Sequence, residues 1–283
     1  MNPLLSVVIA NYNYGRFLEN ALRSIISQGA GEAVEIIICD AGSTDGSVEI
    51  IKKYEKHIAW WCSERDGGQS EAFNKGFSRA KGEWLTWLNA DEIYLPGTLV
   101  KFAQTAARLK HAEWITGNLL KFDDSSRKIT YVSWGPHYVP GWFRYNRATT
   151  DVFGPSTFFK KSLYEKMGPI DETLHFAMDT EYWTRLTMAG VKQYRLNHIC
   201  WAFREHGESK TGGVQSSETK EKRSKEREYW QQKLGYSYRG SFANPWYVLW
   251  LICRILDGSL LIRFVKRARL IGKTLDAVLE VSL

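Results

Sequence analysis

Cysteine is scarce in this chain: four among 283 residues, at positions 39, 62, 200 and 253, and no two of them form a C-x-x-C pair. That spacing excludes a zinc knuckle or redox dithiol and makes reduced thiols of a cytosolic protein the expectation. Long apolar runs are missing too. No stretch approaches the roughly eighteen uninterrupted apolar residues of a membrane-spanning helix. Residues 1–10 have no basic segment ahead of their short apolar run, so they read as a strand and not a signal peptide. Internal repeats and low-complexity tracts are absent, which excludes solenoids and disordered tails. There is no acidic excess either. With 38 Lys and Arg against 31 Asp and Glu, the net charge is +7, which favours an anionic partner: a phosphate, nucleic acid or an anionic membrane.

What is present is a well-stocked core. Hydrophobic residues make up 44% of the chain and aromatics 14%, including 12 Trp. The length suits about two structural units. Over the first hundred residues strand and helix signals alternate. The β-rich runs Leu4 to Ala10, Val34 to Cys39, Ile58 to Cys62 and Trp84 to Leu88 read as strands, the first as one buried on both faces of a parallel sheet. Between and after them, Phe17 to Gln28, Val48 to Tyr54, Glu71 to Ala80 and Leu99 to Leu109 read as helices. Further strands are expected at Trp114 to Gly117, Ile129 to Trp134, Val191 to Leu196 and Ile199 to Phe203. Helices are expected at Met178 to Ala189, 216–233 and 245–271, the last strongly apolar and basic.

This alternation predicts an α/β, doubly wound, mostly parallel sheet with ligands at the carboxyl ends of its strands. Three polar clusters fall at those ends: Asn11-Tyr-Asn-Tyr, Asp40 to Asp45, and Asn89 to Glu92. A carboxylate at a strand end followed by Gly42 can accept from a ribose hydroxyl or a base N–H. A plain β-turn, with Asp45 capping the next helix, fits the same residues. A carboxylate in Asn89-Ala-Asp-Glu can hold a divalent ion that bridges phosphate oxygens, although Asp and Asn are ordinary loop residues.

Five segments in order carry a resemblance: Ser6-Val-Val-Ile-Ala-Asn-Tyr-Asn, Asp40-Ala-Gly-Ser-Thr-Asp-Gly, Asp66-Gly-Gly-Gln-Ser-Glu-Ala-Phe-Asn-Lys-Gly, Leu88-Asn-Ala-Asp-Glu-Ile-Tyr-Leu-Pro and Met178-Asp-Thr-Glu-Tyr-Trp. Together, over roughly residues 5–205, the chain resembles the family 2 glycosyltransferases with their GT-A nucleotide-sugar-binding fold. The resemblance implies inverting transfer of a sugar from a nucleoside-diphosphate donor, UDP by default, to a glycan or lipid-linked acceptor, with Mn²⁺ or Mg²⁺ as cofactor. It implies Asn11 and Tyr12 at the base, Asp40 at the nucleoside, and Asp66, Gly67, Asn74 and Lys75 along the ribose and diphosphate. Asn89, Ala90 and Asp91 occupy the metal motif of the family. Asp91 matches its last acid, the direct ligand, whereas Asn89 departs from the usual first Asp. Asp179 matches the catalytic base, and Met178 replaces the usual preceding Glu. His206 stands in a region from which some relatives supply a further metal or diphosphate ligand; a solvated loop His is the plain alternative. Glu181 reads as an ion-pair partner of Arg185, four residues on.

Trp142 and Arg144, with Trp134, His137 and Tyr145, and Trp183 beside Asp179, fall in the region that resembles the acceptor side. Aromatic faces stack on sugars and Arg meets phosphate, although loop packing explains the same residues. The chain divides into a catalytic domain at 1–205, a charged loop and helix at 206–243, and apolar, basic C-terminal helices at 244–283. The last segment suits an interfacial helix on an anionic membrane or a helix pair packed on the domain or on a second copy. The expectation is a cytoplasmic enzyme, peripheral on the inner face of the cell membrane, with no nucleic-acid partner. Two rivals remain. A nucleotidyltransferase would want a basic, Gly-rich loop after the first strand, which Asn11-Tyr-Asn-Tyr-Gly is not. A catalytically impaired glycan- or membrane-binding relative would be marked by Asn89 and Met178.

Overall fold

The structure, a computed structural model, describes residues 2–29, 31–135, 152, 154–209, 216–235 and 245–280, with side chains in the last segment from 251 onward. Trp142 and Arg144, along with His137 and Tyr145, lie outside the described residues.

Strand β1 (Leu5–Asn11) is almost wholly buried, as its β-branched run requires of a central parallel strand. It pairs in parallel with β2 (Val34–Asp40) on one side and β4 (Trp84–Asn89) on the other, and β3 (Trp60–Ser63) extends the sheet beyond β2. The register sets Asn11 opposite Asp40 and Ala10 opposite Asn89, so three polar clusters far apart in sequence meet on one edge. Helix α1 (Gly15–Ile26) returns from β1 and buries Phe17, Leu18, Ala21, Leu22 and Ile25, one stripe at helical spacing. Helix α2 (Ser47–Lys53) starts after Gly46, which is left-handed at φ 89°, a conformation that a side chain would oppose. Helices α3 (Gln69–Arg79) and α4 (Thr98–Arg108) complete the alternating half.

The parallel arrangement does not run through the whole sheet. Beyond β4 the order continues through β8 (Thr157–Lys160), β6 (Trp114–Asp123), β9 (Gln193–Glu205) and β5 (Ile93–Tyr94), with β7 (Ile129–Ser133) also on β6. There β4–β8, β8–β6, β6–β7 and β9–β5 are antiparallel, and β6–β9 alone is parallel. Strand β6 outruns its expected end at Gly117 because Asn118 is held inside the ladder. Its amide donates to the carbonyls of Leu196 and His198 and accepts from Gly135 N. The two strands expected at 191–203 are one, β9, whose register against β6 shifts at Asn118.

Helices α5 (Lys161–Met167), α6 (Met178–Met188) and α7 (Ser217–Lys233) cover the face that carries α3. The core beneath them includes a stack of three tryptophans. Trp183 lies 5.1 Å from Trp87 at an interplanar angle of 4°, and 5.8 Å from Trp114. Trp230 of α7 is buried in the same core, so the charge-dense helix is docked on the sheet domain. The expected single helix at 245–271 is two, α8 (Pro245–Leu256) and α9 (Ser259–Leu270). Gly258 breaks it in the left-handed region, and the Asp257 carboxylate accepts from Ser259 N. Residues 272–275 then pair with the start of β7, and α10 (Leu275–Glu280) buries Leu275 in a cluster with β6 and β7.

Candidate active site

The carboxyl ends of β1, β2 and β4 open into one cavity of about 1070 Å³, whose wall includes Asn11, Tyr12, Asp66, Asp91, Met178 and Asp179. These residues come from strand ends, from the turn before α3 and from the start of α6. Ligand sites of open α/β sheets lie at this edge for a topological reason: crossover connections leave the strand ends facing a crevice.

At one part of the wall, Tyr12 is 61% exposed and offers an aromatic face. Asn11 is buried, and its amide donates to Asp40 Oδ1 at 2.6 Å and to Ser43 Oγ at 3.2 Å. Its own Oδ1 is an acceptor with no partner among the described residues. Asp40 departs from the expected nucleoside contact. It is only 1% exposed, and both oxygens are engaged, by Asn11 and Ser43 Oγ on Oδ1 and by Ser43 N and Ser63 Oγ on Oδ2. Burial pushes its pKa up, but these four bonds outweigh it and hold the carboxyl below its ordinary value. Asp40 therefore braces the turn, whereas Ala41 and Gly42 meet the cavity.

Asp66 and Gly67 line the cavity, and Asp66 Oδ1 accepts from Gly68 N at 2.9 Å. Burial raises the Asp66 pKa despite that bond. Asn74 and Lys75 are not in the wall. The Asn74 amide is consumed in fastening α3 to the segment after α5: it donates to Ile170 O and Glu172 and accepts from Tyr164 Oη and Ile170 N. Lys75 pairs with Glu64 at 3.2 Å. One helical turn nearer the cavity stands a residue that the sequence did not single out: Gln69, whose Nε2 donates to Asn89 Oδ1 at 2.5 Å.

Asp91 Oδ2 lies 3.0 Å from His206 Nε2. His206 comes from the turn after β9 and is wedged against Tyr14 and Phe17, with its Nδ1 buried and unpartnered among the described residues. Arg204 Nε donates to the Asp91 carbonyl at 2.8 Å and fixes this turn. Below lies Glu92, buried; desolvation first and the Asp91 charge second push its carboxyl well above the usual range. Burial, with Asp91 and Glu208 nearby, likewise raises Tyr14 to about 12. A carboxylate oxygen and an imidazole nitrogen thus converge on one point, a donor pair suited to Mn²⁺. No group of three or more His, Cys, Asp or Glu gathers as a metal site among the described residues. Asp91 and His206 are the residues that would hold such an ion, and hard divalent cations accept so few protein ligands.

Asp179 occupies the first turn of α6 and is half-buried. Its Oδ1 accepts from Thr180 N at 2.6 Å. Desolvation raises its pKa, opposed by the Thr180 bonds and by the Arg223 charge. Trp183 does not share this site. At 0% exposure inside the tryptophan stack it cannot touch an acceptor, and it supports α6 from behind. Glu181 pairs with Arg185 at 2.9 Å. Also missed by sequence reasoning, Lys121, Tyr131 and Phe203 line the cavity from β6, β7 and β9, strands whose nearness to β1 only the topology reveals.

With this geometry in hand, comparison with known proteins is decisive for ancestry. The sequence model described as glycosyl transferase family 2 matches residues 6–168, more than half of the chain. The chain belongs to this family. The match includes every donor-side segment from Asn11 to Asp91 and stops before Asp179. Among curated relatives, an uncharacterized glycosyltransferase of Nostoc is 35% identical over 131 residues, 43% of this chain and 40% of its own length. The glycosyltransferase GlyG of Streptococcus pneumoniae is 30% identical over 141 residues, 49% of this chain and 46% of its own. The chain thus spans less than half the length of either. Among solved structures, the mannosyltransferase PcManGT of Pyrobaculum calidifontis, in complex with GDP-Man and Mn²⁺, superposes with a TM-score of 0.60 at 17% identity. That alignment covers 100% of this chain and 79% of that one. S. aureus TarS residues 1–349 with UDP-GlcNAc gives 0.58 at 15% identity, covering 77% and 64%. At those identities the likeness establishes the GT-A fold.

Proposed function

We propose that this glycosyltransferase inverts configuration, moving a sugar from a nucleoside diphosphate to a hydroxyl of a glycan or lipid-linked acceptor. One observation carries the reading: a single cavity joins an aromatic and amide end, at Tyr12 and Asn11, to the acids Asp91 and Asp179. Tyr12 stacks on the base, and the buried Asn11, tied to Asp40 and Ser43, backs that end of the cavity. UDP is the default nucleotide; TarS is solved with UDP-GlcNAc and PcManGT with GDP-Man. Asp179 takes the proton of the acceptor hydroxyl as that oxygen attacks the anomeric carbon, on the face opposite the leaving diphosphate. Its raised pKa makes it a stronger base than an ordinary Asp. Asp91 and His206 are the residues that would hold a divalent cation, which when bound supplies positive charge to the diphosphate. Release of nucleoside diphosphate from a panel of UDP- and GDP-sugars, with and without Mn²⁺, tests the reading. No release from any donor, with nucleotide still bound, would favour a catalytically silent relative.

We also propose that the α8–α9 hairpin rests on an anionic lipid surface. Among the described residues no helix is long and apolar enough to cross a membrane. One face of the hairpin packs on the domain through Ile262, while Arg263 and Lys266 lie over Tyr131 and Trp134. The opposite face leaves Ile255, Leu256, Leu261 and Phe264 exposed, the last three at 81%, 67% and 72%, with Arg269 exposed at its flank, while Arg267 lies over Tyr131. Apolar side chains flanked by cations match a headgroup layer of negative charge.

A further inference from the structure

Helix α7 reads as charge all round, yet it has one buried stripe. Thr219, Arg223, Glu226 and Trp230, with Leu234 just past the helix end, are spaced four, three, four and four, which places them on one face; Gln231, beside Trp230, is the other position that is not exposed. Along that stripe the helix passes from core to cavity. Trp230 and Leu234 pack in the tryptophan-rich core, and Arg223 reaches the cavity wall. Glu226 stands between them. Its Oε1 accepts from His175 N at 2.9 Å, and its Oε2 accepts from Phe176 N at 2.8 Å and Ala177 N at 3.1 Å.

Those three amides are the last before helix α6, whose N-cap, Ala177, has no side chain able to cap it. A helix start normally finds its caps within its own segment; here a carboxylate from 49 residues later supplies the acceptor. Bonds from backbone N–H to an ionised carboxylate are charge-assisted and hold geometry firmly. Two of the clamped residues, His175 and Phe176, line the cavity, as do Met178 and Asp179, the two that follow the third. The far end of α7 is pinned as well, with Lys233 Nζ 2.6 Å from Asp171. All of this lies beyond residues 6–168, the part of the chain that matches the family.

We propose that Glu226 is a positioning residue for transfer: it holds the 175–177 backbone so that Asp179, two residues on, meets the acceptor hydroxyl at bonding distance. The proposal rests on the reading of Asp179 as base. Displacement of a reacting group by about 1 Å costs on the order of 100-fold in rate, which sets the scale of the expected effect.

The test compares Glu226→Ala and Glu226→Gln in the full chain, by amide hydrogen exchange at 175–177, UDP affinity, and turnover as UDP released from UDP-GlcNAc. The clamp predicts that Glu226→Ala loses protection at 175–177. Its kcat falls about 10- to 100-fold with UDP affinity unchanged, since the donor end of the cavity lies on other elements. Glu226→Gln keeps the shape and one acceptor oxygen, and recovers part of both protection and kcat. If Glu226→Ala does not fold, Glu226→Gln alone decides: it should fold and show partial losses in both readouts. Wild-type kcat in either folded variant, or a fall in UDP affinity equal to the fall in kcat, overturns the proposal. Absence of turnover in the wild-type protein would count against the donor or the transferase reading, while the exchange measurement would still report the clamp.

Discussion

Replacing Asp179 by Asn separates activity from stability in a way that the environment of this side chain dictates. The amide keeps the volume and can still accept from Thr180 N through its oxygen, a bond of 2.6 Å in the native protein. It cannot take a proton. Loss of a general base typically costs about 10²–10⁴-fold, so kcat should fall by at least two orders of magnitude while UDP affinity stays near wild type. Stability should move the other way. Burial raises the Asp179 pKa, so the folded state holds the proton more tightly than the unfolded chain does. Unfolding free energy therefore declines as pH rises from about 3.9, the unfolded value, through the folded pKa, and it levels off above. Each tenfold difference in proton affinity between the two states is about 1.4 kcal/mol. The Asn variant has no such loss. It should match wild type below about pH 3.9, gain on it between the unfolded and folded pKa values, and hold a constant advantage above. Around Asp179 stand Thr180, which donates to it, and Arg223, whose charge lowers its pKa; the net direction is upward. Urea unfolding at a series of pH values, beside UDP-release rates, provides the assay. A variant that keeps more than about a tenth of wild-type kcat would refute Asp179 as base. A variant less stable than wild type at pH 7 would refute the burial argument.

Three further outcomes follow from named contacts. Asp91→Ala and His206→Ala should each weaken UDP binding by calorimetry in Mn²⁺ and leave the weaker metal-free affinity unchanged; equal losses without metal would assign the pair to direct contact. Trp183→Ala should cost about 3–5 kcal/mol of unfolding free energy, as fully buried tryptophans do, and a loss below 1 kcal/mol would contradict its place in the stack. Leu261→Glu with Phe264→Glu should abolish sedimentation with phosphatidylserine vesicles and leave UDP affinity intact, whereas an unchanged vesicle-bound fraction, or a dimer that these changes dissociate, would point to a second copy as the occupant of that face.

The donor edge was legible because its signals are local. A buried β-run followed by Asn11, Asp40 or Asn89 states both a strand and the place where it stops, and parallel pairing then brings the stops together. Asp91 and His206 could be named one at a time, but their meeting at 3.0 Å depends on β9 lying in the sheet beside β6 and β5. Short elements left too little pattern: β8 has four residues and β5 two. The wall behind Asp179 was illegible for a different reason. Glu226 acts on backbone N–H groups, which every residue but proline possesses, so no residue type near 175 announces a partner. Trp183 was misplaced because helical spacing shows which residues share a face with Asp179 but not which way that face turns. The stack with Trp87 and Trp114 turns it inward.

The two departures from the family pattern also acquire physical reasons. A carboxylate at position 89 would be the third at this turn, beside Asp91 and above the buried Glu92, whose pKa is already driven upward by burial and by the Asp91 charge. Like charges gathered in a poorly solvated site drive protonation of one another. Asn89 relieves that pressure and remains useful, because its Oδ1 accepts from Gln69 and ties the start of α3 to the end of β4. At 178 the argument concerns packing. Met178 is buried with its sulfur 3.1 Å from Ser70 Oγ, so it joins the start of α6 to α3. A glutamate there would have to be desolvated beside Asp179 or leave the contact. Both replacements remove a charge from a crowded place and spare the neighbouring Asp that faces the cavity. Loss of catalysis by drift would have no reason to discriminate in this way, and Asp91 and Asp179, the two acids to which the proposed transfer is assigned, are the ones retained.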